Sequence, residues 1–174
     1  MTKKYTNQLF IFADDQNLLQ GFMAAAMDIE NEKYLSFEKL CPSPEGAEVD
    51  WCHENWGTCC LFNCSLKHAS DTMLYYHFET PCDAPLQWLE KVSQLYPDLC
   101  FYIKFKDEKC GEIGGCVVKG DAREVLYYNE SLLLSRVEDL TESEFEVMSE
   151  EFEILTEDLS SKPWVGLQYK CSGN

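Results

Sequence analysis

The chemically reactive side chains of the sequence are concentrated in one short stretch. Six cysteines and histidines fall within 17 residues: Cys52, His53, Cys59, Cys60, Cys64 and His68. Thiolates and imidazoles are the ligands that zinc prefers, and a cysteine beside a histidine is also the pairing that thiol-dependent enzymes use. The stretch therefore raises two hypotheses, a zinc site and a cysteine nucleophile.

The spacing of these residues supports neither hypothesis strongly. Zinc sites usually use two tight ligand pairs on turns, whereas the sequence contains no Cys-x-x-Cys. Cys60 and Cys64 instead share one face of a predicted strand, where a thiol acts as a small hydrophobic side chain. Because no stretch resembles an export signal, we expect the ten cysteines to be thiols. We assign no metal, no cofactor and no catalytic residue, and a zinc- or thiol-dependent enzyme built on residues 52–68 stays an alternative.

The charge balance restricts the partners of the protein. The chain carries 31 Asp and Glu against 14 Lys and Arg, a formal net charge of −17. Direct binding to nucleic acid or to an anionic membrane is disfavoured, because both need a cationic surface. No apolar run approaches the roughly 18 residues that a membrane span requires, and residues 9–13 are too short for a signal-peptide core. We expect an intracellular protein.

Hydrophobic periodicity predicts the order β-α-(β)-β-β-α-β-β-β. The segment in brackets is extended and is ended by the proline-containing stretch Cys-Pro-Ser-Pro. The strands are predicted at 7–13, 59–66, 72–79, 99–105, 114–118 and 124–128, and the extended segment at 34–40. The first helix is predicted over 15–31, capped by Asp14 or Asp15. Its apolar stripe is Leu18, Phe22, Ala26 and Ile29. The second helix has Asp83 as its cap and Pro85 in its first turn, and it ends at Pro97.

Two helices separated by a β-hairpin, each flanked by strands, are the split β-α-β arrangement of ferredoxin-like folds. The predicted fold class is therefore α+β, with both helices on one face of an antiparallel sheet. Residues 1–122 form the ferredoxin-like domain in this interpretation. Residues 123–174 form an acidic extension with extra strands and a helix, packed on the same domain.

The extension is the most acidic part of the chain, with 12 Asp and Glu against 4 Lys and Arg over residues 123–174. Thr141 and Glu144 form a capping-box signature at the start of an amphipathic helix, although the alternation Glu144-Phe145-Glu146-Val147 also permits a strand. Its apolar edge is Phe145, Met148, Phe152, Leu155 and Leu159, and its anionic face is Glu142, Glu144, Glu146, Glu150 and Glu151. The apolar edge either packs on the protein's own sheet or lies on another protein.

Several segments resemble the YubB-type ferredoxin-like family. They include the motif Glu54-Asn55-Trp56-Gly57-Thr58, the stretch Tyr76-His-Phe-Glu-Thr-Pro-Cys-Asp-Ala-Pro, and the pair Gly114-Gly115. The resemblance spans about residues 7–122. It implies a ferredoxin-like fold and an origin in a phage, plasmid or other mobile or viral genome, with a location in the host cytoplasm or the virion. It implies no enzymatic activity.

The motif residues have a structural interpretation of their own. Aromatic anchors of the core are expected at Trp51, Trp56 and Trp88. Asn55 and Thr58 are expected to bond backbone groups at the entry to a strand, and Gly57 to supply an unusual dihedral angle. The alternative is a surface that stacks on a peptide or a base.

These observations predict a non-catalytic, acidic protein–protein interaction protein of viral or mobile-element origin, which acts as a component of a larger assembly. The residues expected at the interface are Glu142, Glu144, Glu146, Glu150, Glu151, Phe145, Met148 and Phe152. One alternative is a decoy that imitates nucleic acid and occupies the basic groove of a nuclease or defence protein. The other alternative is the zinc- or thiol-dependent enzyme.

Overall fold

A six-stranded sheet with helices on one face forms the part of the chain that the computed structural model describes, namely residues 4–107, 109 and 112–129. The strands are β1 (Lys4–Phe12), β2 (Phe62–Ala69), β3 (Met73–Pro81), β4 (Cys100–Asp107), β5 (Glu112–Lys119) and β6 (Ala122–Asn129). The helices within these residues are α1 (Gln16–Ala26), α2 (Phe37–Leu40), α3 (Val49–Trp56) and α4 (Leu86–Leu95). The predicted amphipathic helix of the acidic extension lies outside the described residues.

The strand order is β2-β3-β1-β4-β5-β6, and every neighbouring pair is antiparallel. The first four of these strands, connected through α1 and α4, have the split β-α-β connectivity of a ferredoxin-like fold. The prediction of an α+β, ferredoxin-like architecture is therefore confirmed. β5 and β6 extend the sheet beyond β4, so residues 123–129, which the sequence assigned to the extension, are part of the same sheet.

One face of the sheet packs against α1 and α4, as predicted. The core on this side combines inward-facing residues of the strands with apolar side chains of both helices. Trp88 of α4 and Phe22 of α1 are completely buried there, and Phe22 packs edge-on against Phe101 of β4 with ring centroids 5.7 Å apart. Large aromatic side chains therefore fasten the two helices to the sheet.

The opposite face of the sheet is also buried over part of its area. Phe10 and Phe12 of β1 and Tyr102 of β4 point away from α1 and α4, and each exposes 4% or less of its surface. Residues on both faces of β4 are therefore buried.

The first helix begins where it was predicted and ends earlier. Asp15 caps α1 by accepting a hydrogen bond of 2.9 Å from the backbone N–H of Asn17. The helix stops at Ala26, and a bridge between Asp28 and Lys33 closes a loop behind it. Ile29 therefore lies in this loop with 80% of its surface exposed, and its assignment to the apolar stripe is wrong.

The buried stripe of α1 contains Phe22 and Ala26 as predicted, with Leu19 in place of Leu18. Leu19, Phe22 and Ala26 are buried, whereas Leu18 exposes 37% of its surface. The spacing i, i+3, i+7 of the buried residues fits one helix face as well as the predicted spacing does. Only the position of the sheet selects between the two.

The chain between α1 and β2 forms two helices that the predicted order lacks. Part of the segment 34–40, predicted as extended, is the single-turn helix α2. Ser36 caps it by accepting a hydrogen bond of 3.4 Å from the backbone N–H of Lys39. The backbone N–H of Ser36 also donates to the carbonyl of Ala26 at 2.9 Å, which ties the segment to the end of α1. α3 follows over Val49–Trp56.

The predicted hairpin is present as β2 and β3. Both strands begin and end slightly later than predicted, and a short turn at Ser70 joins them. β2 is an edge strand and is irregular, with register shifts between Phe62 and Ser65 and between Leu66 and His68. Such bulges discourage the pairing of an edge strand with another chain.

None of the helices among the described residues has both the length and the apolar character that crossing a membrane requires.

The burial of Leu19 in place of Leu18 leads to a direct test. Leu19→Ala should lower the free energy of unfolding by about 2–5 kcal/mol, because it leaves a cavity in the core. Leu18→Ala is the matched control on the adjacent, partly exposed position and should cost under about 1 kcal/mol. Urea unfolding followed by tryptophan fluorescence measures both variants, and equal losses would contradict the assignment of the buried face.

Candidate functional site

The motif Glu54–Thr58 lies at the end of α3, where the chain turns towards β2. Gly57 terminates the helix in the left-handed conformation, with φ of 84°, and its N–H donates to the carbonyl of His53 at 3.0 Å. A Cβ atom at this position would lie 2.2 Å from Oε1 of Gln87 and 3.0 Å from the carbonyl oxygen of Ala84. Glycine is therefore required both for the backbone angle and for the close approach of the loop before α4.

Two threonines hold the loop between β3 and α4 in place. Thr58 is fully buried, and its hydroxyl donates to the carbonyl of Pro81 at 2.5 Å. The hydroxyl of Thr80 donates to the carbonyl of Asp83 at 2.8 Å and accepts from the amide of Asn7 at 2.9 Å. The end of α3, the loop and the central strand β1 are thus connected by buried hydrogen bonds.

The predicted start of α4 needs a correction at this loop. Pro85 occupies the cap position rather than the first turn, and no side chain caps the helix. Asp83 therefore does not cap α4, and its backbone carbonyl instead accepts the bond from Thr80.

Asn55 and Lys91 connect α3 with α4. The amide group of Asn55 donates to the carbonyl of Trp51 at 2.9 Å, and its oxygen accepts from the ammonium of Lys91 at 2.5 Å. That ammonium also lies 5.7 Å from the ring centroid of Trp51, within the range of a cation–π contact. Asn55 thus bonds a helix carbonyl and a neighbouring helix, whereas the sequence predicted a role at the entry of a strand.

The structure places two of the three motif tryptophans in the core. Trp88 is completely buried, and Trp56 exposes 7% of its surface while its indole N–H donates to the carbonyl of Cys41 at 3.0 Å. Phe37 of α2 contacts both rings, with centroid distances of 4.4 Å to Trp88 and 5.9 Å to Trp56. Trp51 is half-buried at the edge of this group. Rings that are this buried have no open face on which a base could stack.

Four cysteines meet beside the motif, and we call them the thiol cluster: Cys52, Cys59, Cys60 and Cys82. The sulfur atoms of Cys59 and Cys60 are 3.8 Å apart, and Cys59 interacts electrostatically with Cys52 and Cys82. Cys82 has a positive φ of 75°, which is unusual for a residue other than glycine. Only the first three members belong to the stretch that the sequence singled out.

The remaining members of that stretch lie elsewhere. Cys64 lies on β2 and packs against the core, while His68 lies near the other end of the strand, opposite Tyr75. Cys82 was missed because it is 22 positions away from Cys60 along the chain. The signal that could have found it is its place in Pro-Cys-Asp-Ala-Pro, a turn-forming stretch directly after a strand.

The chemistry of the thiol cluster follows from its pKa values. Burial, the hydrogen bond with Cys59 and the neighbouring thiols raise the pKa of Cys60 to about 11. Burial also raises the pKa of Cys52 and of Cys82. These thiols are therefore protonated near neutral pH, whereas a nucleophilic cysteine requires a lowered pKa.

In the described part of the chain, no group of three or more His, Cys, Asp or Glu side chains is arranged to hold a metal ion. A cleft between α1 and the β2–β3 turn has a volume of about 160 Å³ and is lined in part by Gln16, Leu19 and Asp71. This volume is below the range of about 300–1,000 Å³ that is typical of small-molecule sites.

One cysteine differs from the prediction that all ten are thiols. Cys100, at the start of β4, is disulfide-bonded, whereas the other seven described cysteines are free. The prediction is therefore wrong for Cys100. The predicted interaction residues Glu142, Glu144, Phe145, Glu146, Met148, Glu150, Glu151 and Phe152 lie outside the described residues.

The glycine of the motif is testable by substitution. Gly57→Ala should lower the free energy of unfolding by about 1–3 kcal/mol, because alanine at positive φ is strained and its Cβ meets the carbonyl of Ala84. Gly21→Ala is the control within α1, where nothing lies within 4 Å, and should instead stabilise the protein by about 0.5–1 kcal/mol. Urea unfolding of both variants provides the comparison, and a neutral Gly57→Ala would contradict the close packing of this junction.

The raised pKa of Cys60 predicts slow alkylation. Its reaction with iodoacetamide should keep rising about tenfold per pH unit from pH 7 towards pH 10, because only the thiolate reacts. Mass spectrometry of the Cys60 peptide, with free cysteine as the control, measures the rate. A rate that levels off near pH 8.5 would show an ordinary thiol.

The comparisons with known proteins give one result. The model of the family described as the ferredoxin-like domain in Api92-like protein matches residues 61–153 of the chain. No curated protein and no solved structure matches. The matched region begins just before β2 and includes α4 and five of the six strands, β2 to β6. Because the match covers more than half of the 174 residues, the chain belongs to the family of ferredoxin-like domains in Api92-like proteins.

Proposed function

We propose that this chain is a non-catalytic, acidic protein–protein interaction protein and a component of a larger assembly. We also propose that a virus or another mobile element encodes it. The viral or mobile origin and the location in the host cytoplasm or the virion rest on the resemblance of its motifs to the YubB-type family. The partner is a protein with a basic surface.

The observation that carries the proposal is the exposure of the negative charge. The described residues include a run of exposed carboxylates on α3 and the loop before it, namely Glu45, Glu48, Asp50 and Glu54. The whole chain carries a formal net charge of −17, so negative charge predominates. Such an excess of charge accelerates association with a basic partner and makes that association sensitive to salt.

The protein also exposes apolar side chains that an interface could bury. In the described residues the large exposed hydrophobic side chains are Leu18, Ile29, Tyr34, Val49 and Leu95. Ile29 and Tyr34 belong to one loop, which the Asp28–Lys33 bridge and a 2.8 Å hydrogen bond from Asn31 to Asp28 hold in shape. Interfaces combine an apolar centre with a polar rim, and a preorganised loop loses little entropy on binding.

The thiol cluster supports a non-catalytic role over the thiol-dependent alternative. The pKa values of Cys60 and Cys82 are raised, which is the opposite of nucleophile activation. The burial of Trp56 and Trp88 likewise favours a structural role for the motif.

The proposal is tested by capture from host cells at low and at high salt with two matched charge variants. One variant replaces Glu142, Glu144, Glu146, Glu150 and Glu151 by Gln. The other carries E45Q, E48Q, D50N and E54Q on and before α3. Binding that falls with salt and is lost in one variant only assigns the interface to that surface.

The same experiment separates the decoy alternative from the assembly role. If the captured protein is a nuclease or defence protein and duplex DNA displaces the chain from it, the chain acts as a nucleic-acid mimic. If DNA does not compete, the partner belongs to an assembly. Binding that is insensitive to salt and to both variants would contradict an electrostatic interface of either kind.

A further inference from the structure

Two members of the thiol cluster, Cys59 and Cys60, are consecutive in the sequence, yet their side chains lie side by side. Their sulfur atoms are 3.8 Å apart. In an extended chain, successive side chains point to opposite sides of the backbone, which would separate the two thiols. Here the chain bends between the end of α3 and the start of β2 at Phe62. The local fold therefore brings the two thiols together, and their adjacency alone does not.

The two residues before the pair fix this bend. Gly57 terminates α3 with φ of 84°, an angle at which a side chain would be strained. Thr58 is fully buried, and its hydroxyl donates to the carbonyl of Pro81. Because both residues directly precede Cys59, the backbone that carries the sulfur pair has little freedom to turn the two side chains apart.

The loop between β3 and α4 brings a third thiol to the pair. Cys82 interacts electrostatically with Cys59 and with Cys60. Its φ of 75° is strained for a residue with a side chain, and the carbonyl of Pro81 just before it accepts the hydrogen bond from Thr58. Strained residues that their surroundings hold in place are typical of functional positions. The structure therefore keeps three thiols from two distant segments together despite this strain.

Dissolved molecules can reach the sulfur pair. The side chain of Cys60 is exposed, and that of Cys59 is partly exposed. Cys64 and Cys116 are also free, but they pack against the core or within it. Oxidation of a cysteine requires access to its sulfur atom, so the pair is a better target for an oxidant than these two thiols are.

We propose that Cys59 and Cys60 are a reversible oxidation site, at which the two sulfur atoms form a disulfide bond within the chain. The oxidant is a small disulfide such as glutathione disulfide. This site goes beyond the proposed function and does not rest on it, because it needs only two thiols in contact and access to them.

The reaction exchanges two thiols for one disulfide. The thiolate of Cys60 attacks one sulfur atom of glutathione disulfide, which breaks the bond between the two glutathiones and releases one of them. The thiolate of Cys59 then attacks the sulfur of Cys60 and releases the second glutathione. The two protons and two electrons that the cysteines lose are recovered in two glutathione thiols. The high pKa of Cys60, about 11, makes the exchange slow near neutral pH, because only the thiolate attacks.

The geometry of neighbouring residues makes the new bond easy to reverse. Consecutive Cα atoms are about 3.8 Å apart across a trans peptide bond, whereas the Cα atoms of most disulfides are about 4.4–6.8 Å apart. A disulfide between Cys59 and Cys60 is therefore strained, and strained, exposed disulfides are reduced more easily than structural ones. The site responds to the ratio of glutathione disulfide to glutathione and is not a permanent cross-link.

Peptide mapping of the full chain tests the site. The chain is equilibrated with mixtures of glutathione disulfide and glutathione, quenched with acid, alkylated in denaturant and cleaved by chymotrypsin after Trp56 and Leu61. In oxidising mixtures we expect peptide 57–61 without alkyl groups and lighter by two hydrogen atoms, and excess glutathione should restore the alkylated form. The lighter peptide should be lost in Cys60→Ser and retained in Cys82→Ser, the matched control within the thiol cluster.

Three results of this mapping would overturn the proposal. They are a link from Cys59 or Cys60 to Cys82 or to any other cysteine, a stable mixed disulfide between Cys60 and glutathione, and full alkylation of both cysteines at every ratio. All three are read from the native chain, so they do not depend on how a variant folds.

The contribution of the fold is measured with the isolated peptide Gly-Thr-Cys-Cys-Leu, which has the same two neighbouring cysteines. At each glutathione ratio we expect its oxidised fraction to be several-fold lower than that of the native chain, because nothing fixes its bend. Equal fractions would show that the fold does not assemble the site, and they would overturn the proposal as well.

Discussion

The burial of β1 on both faces is the constraint on which the rest of the structure depends. The strand lies between β3 and β4, and its apolar run alternates between the two sides of the sheet. Leu9 and Ile11 face the helices, whereas Phe10 and Phe12 face the other way. All four are almost inaccessible to water. A ferredoxin-like layer of two helices satisfies only half of this requirement, because an antiparallel sheet with one layer of helices leaves its other face open.

The junction between α3 and the loop before α4 places the helices against this central strand. Gly57 permits the close approach of the loop, Thr58 bonds its backbone, and Thr80 connects it to Asn7 of β1. The thiol cluster lies at the same junction, and the pKa values of Cys52, Cys60 and Cys82 are raised rather than lowered, so the feature that first suggests chemistry is part of the packing. A packed junction and an excess of negative charge are compatible with a protein that acts by binding, because binding does not require catalytic residues.

Much of the sheet was predictable from the sequence because its signals are local. Alternation and turn residues identify the β2–β3 and β5–β6 hairpins, and the short apolar run identifies β1. The cap at Asp15 marks the beginning of α1, whereas its end at Ala26 carries no glycine or proline. α2 and α3 were not predicted, since helices of four and eight residues contain too few turns for periodicity to emerge. The position of Pro85 was also predicted wrongly. It lies at the cap of α4 and not in the first turn, because the hydrogen bond from Thr80 to Asp83 fixes the loop before the helix.

The sequence by itself determined the excess of negative charge, the fold class and the approximate position of most strands. These properties depend on composition and on side chains a few residues apart. Only the tertiary structure decided that Leu19 rather than Leu18 of α1 is buried, that Cys82 joins Cys59 and Cys60, and that Cys100 is bonded while Cys64 is free. Each of these three features depends on contacts between segments far apart in the chain. The local periodicity of one segment does not indicate which other segment will pack against it. The physical reason is that burial is a property of the assembled layers, whereas alternation and capping are properties of the chain alone.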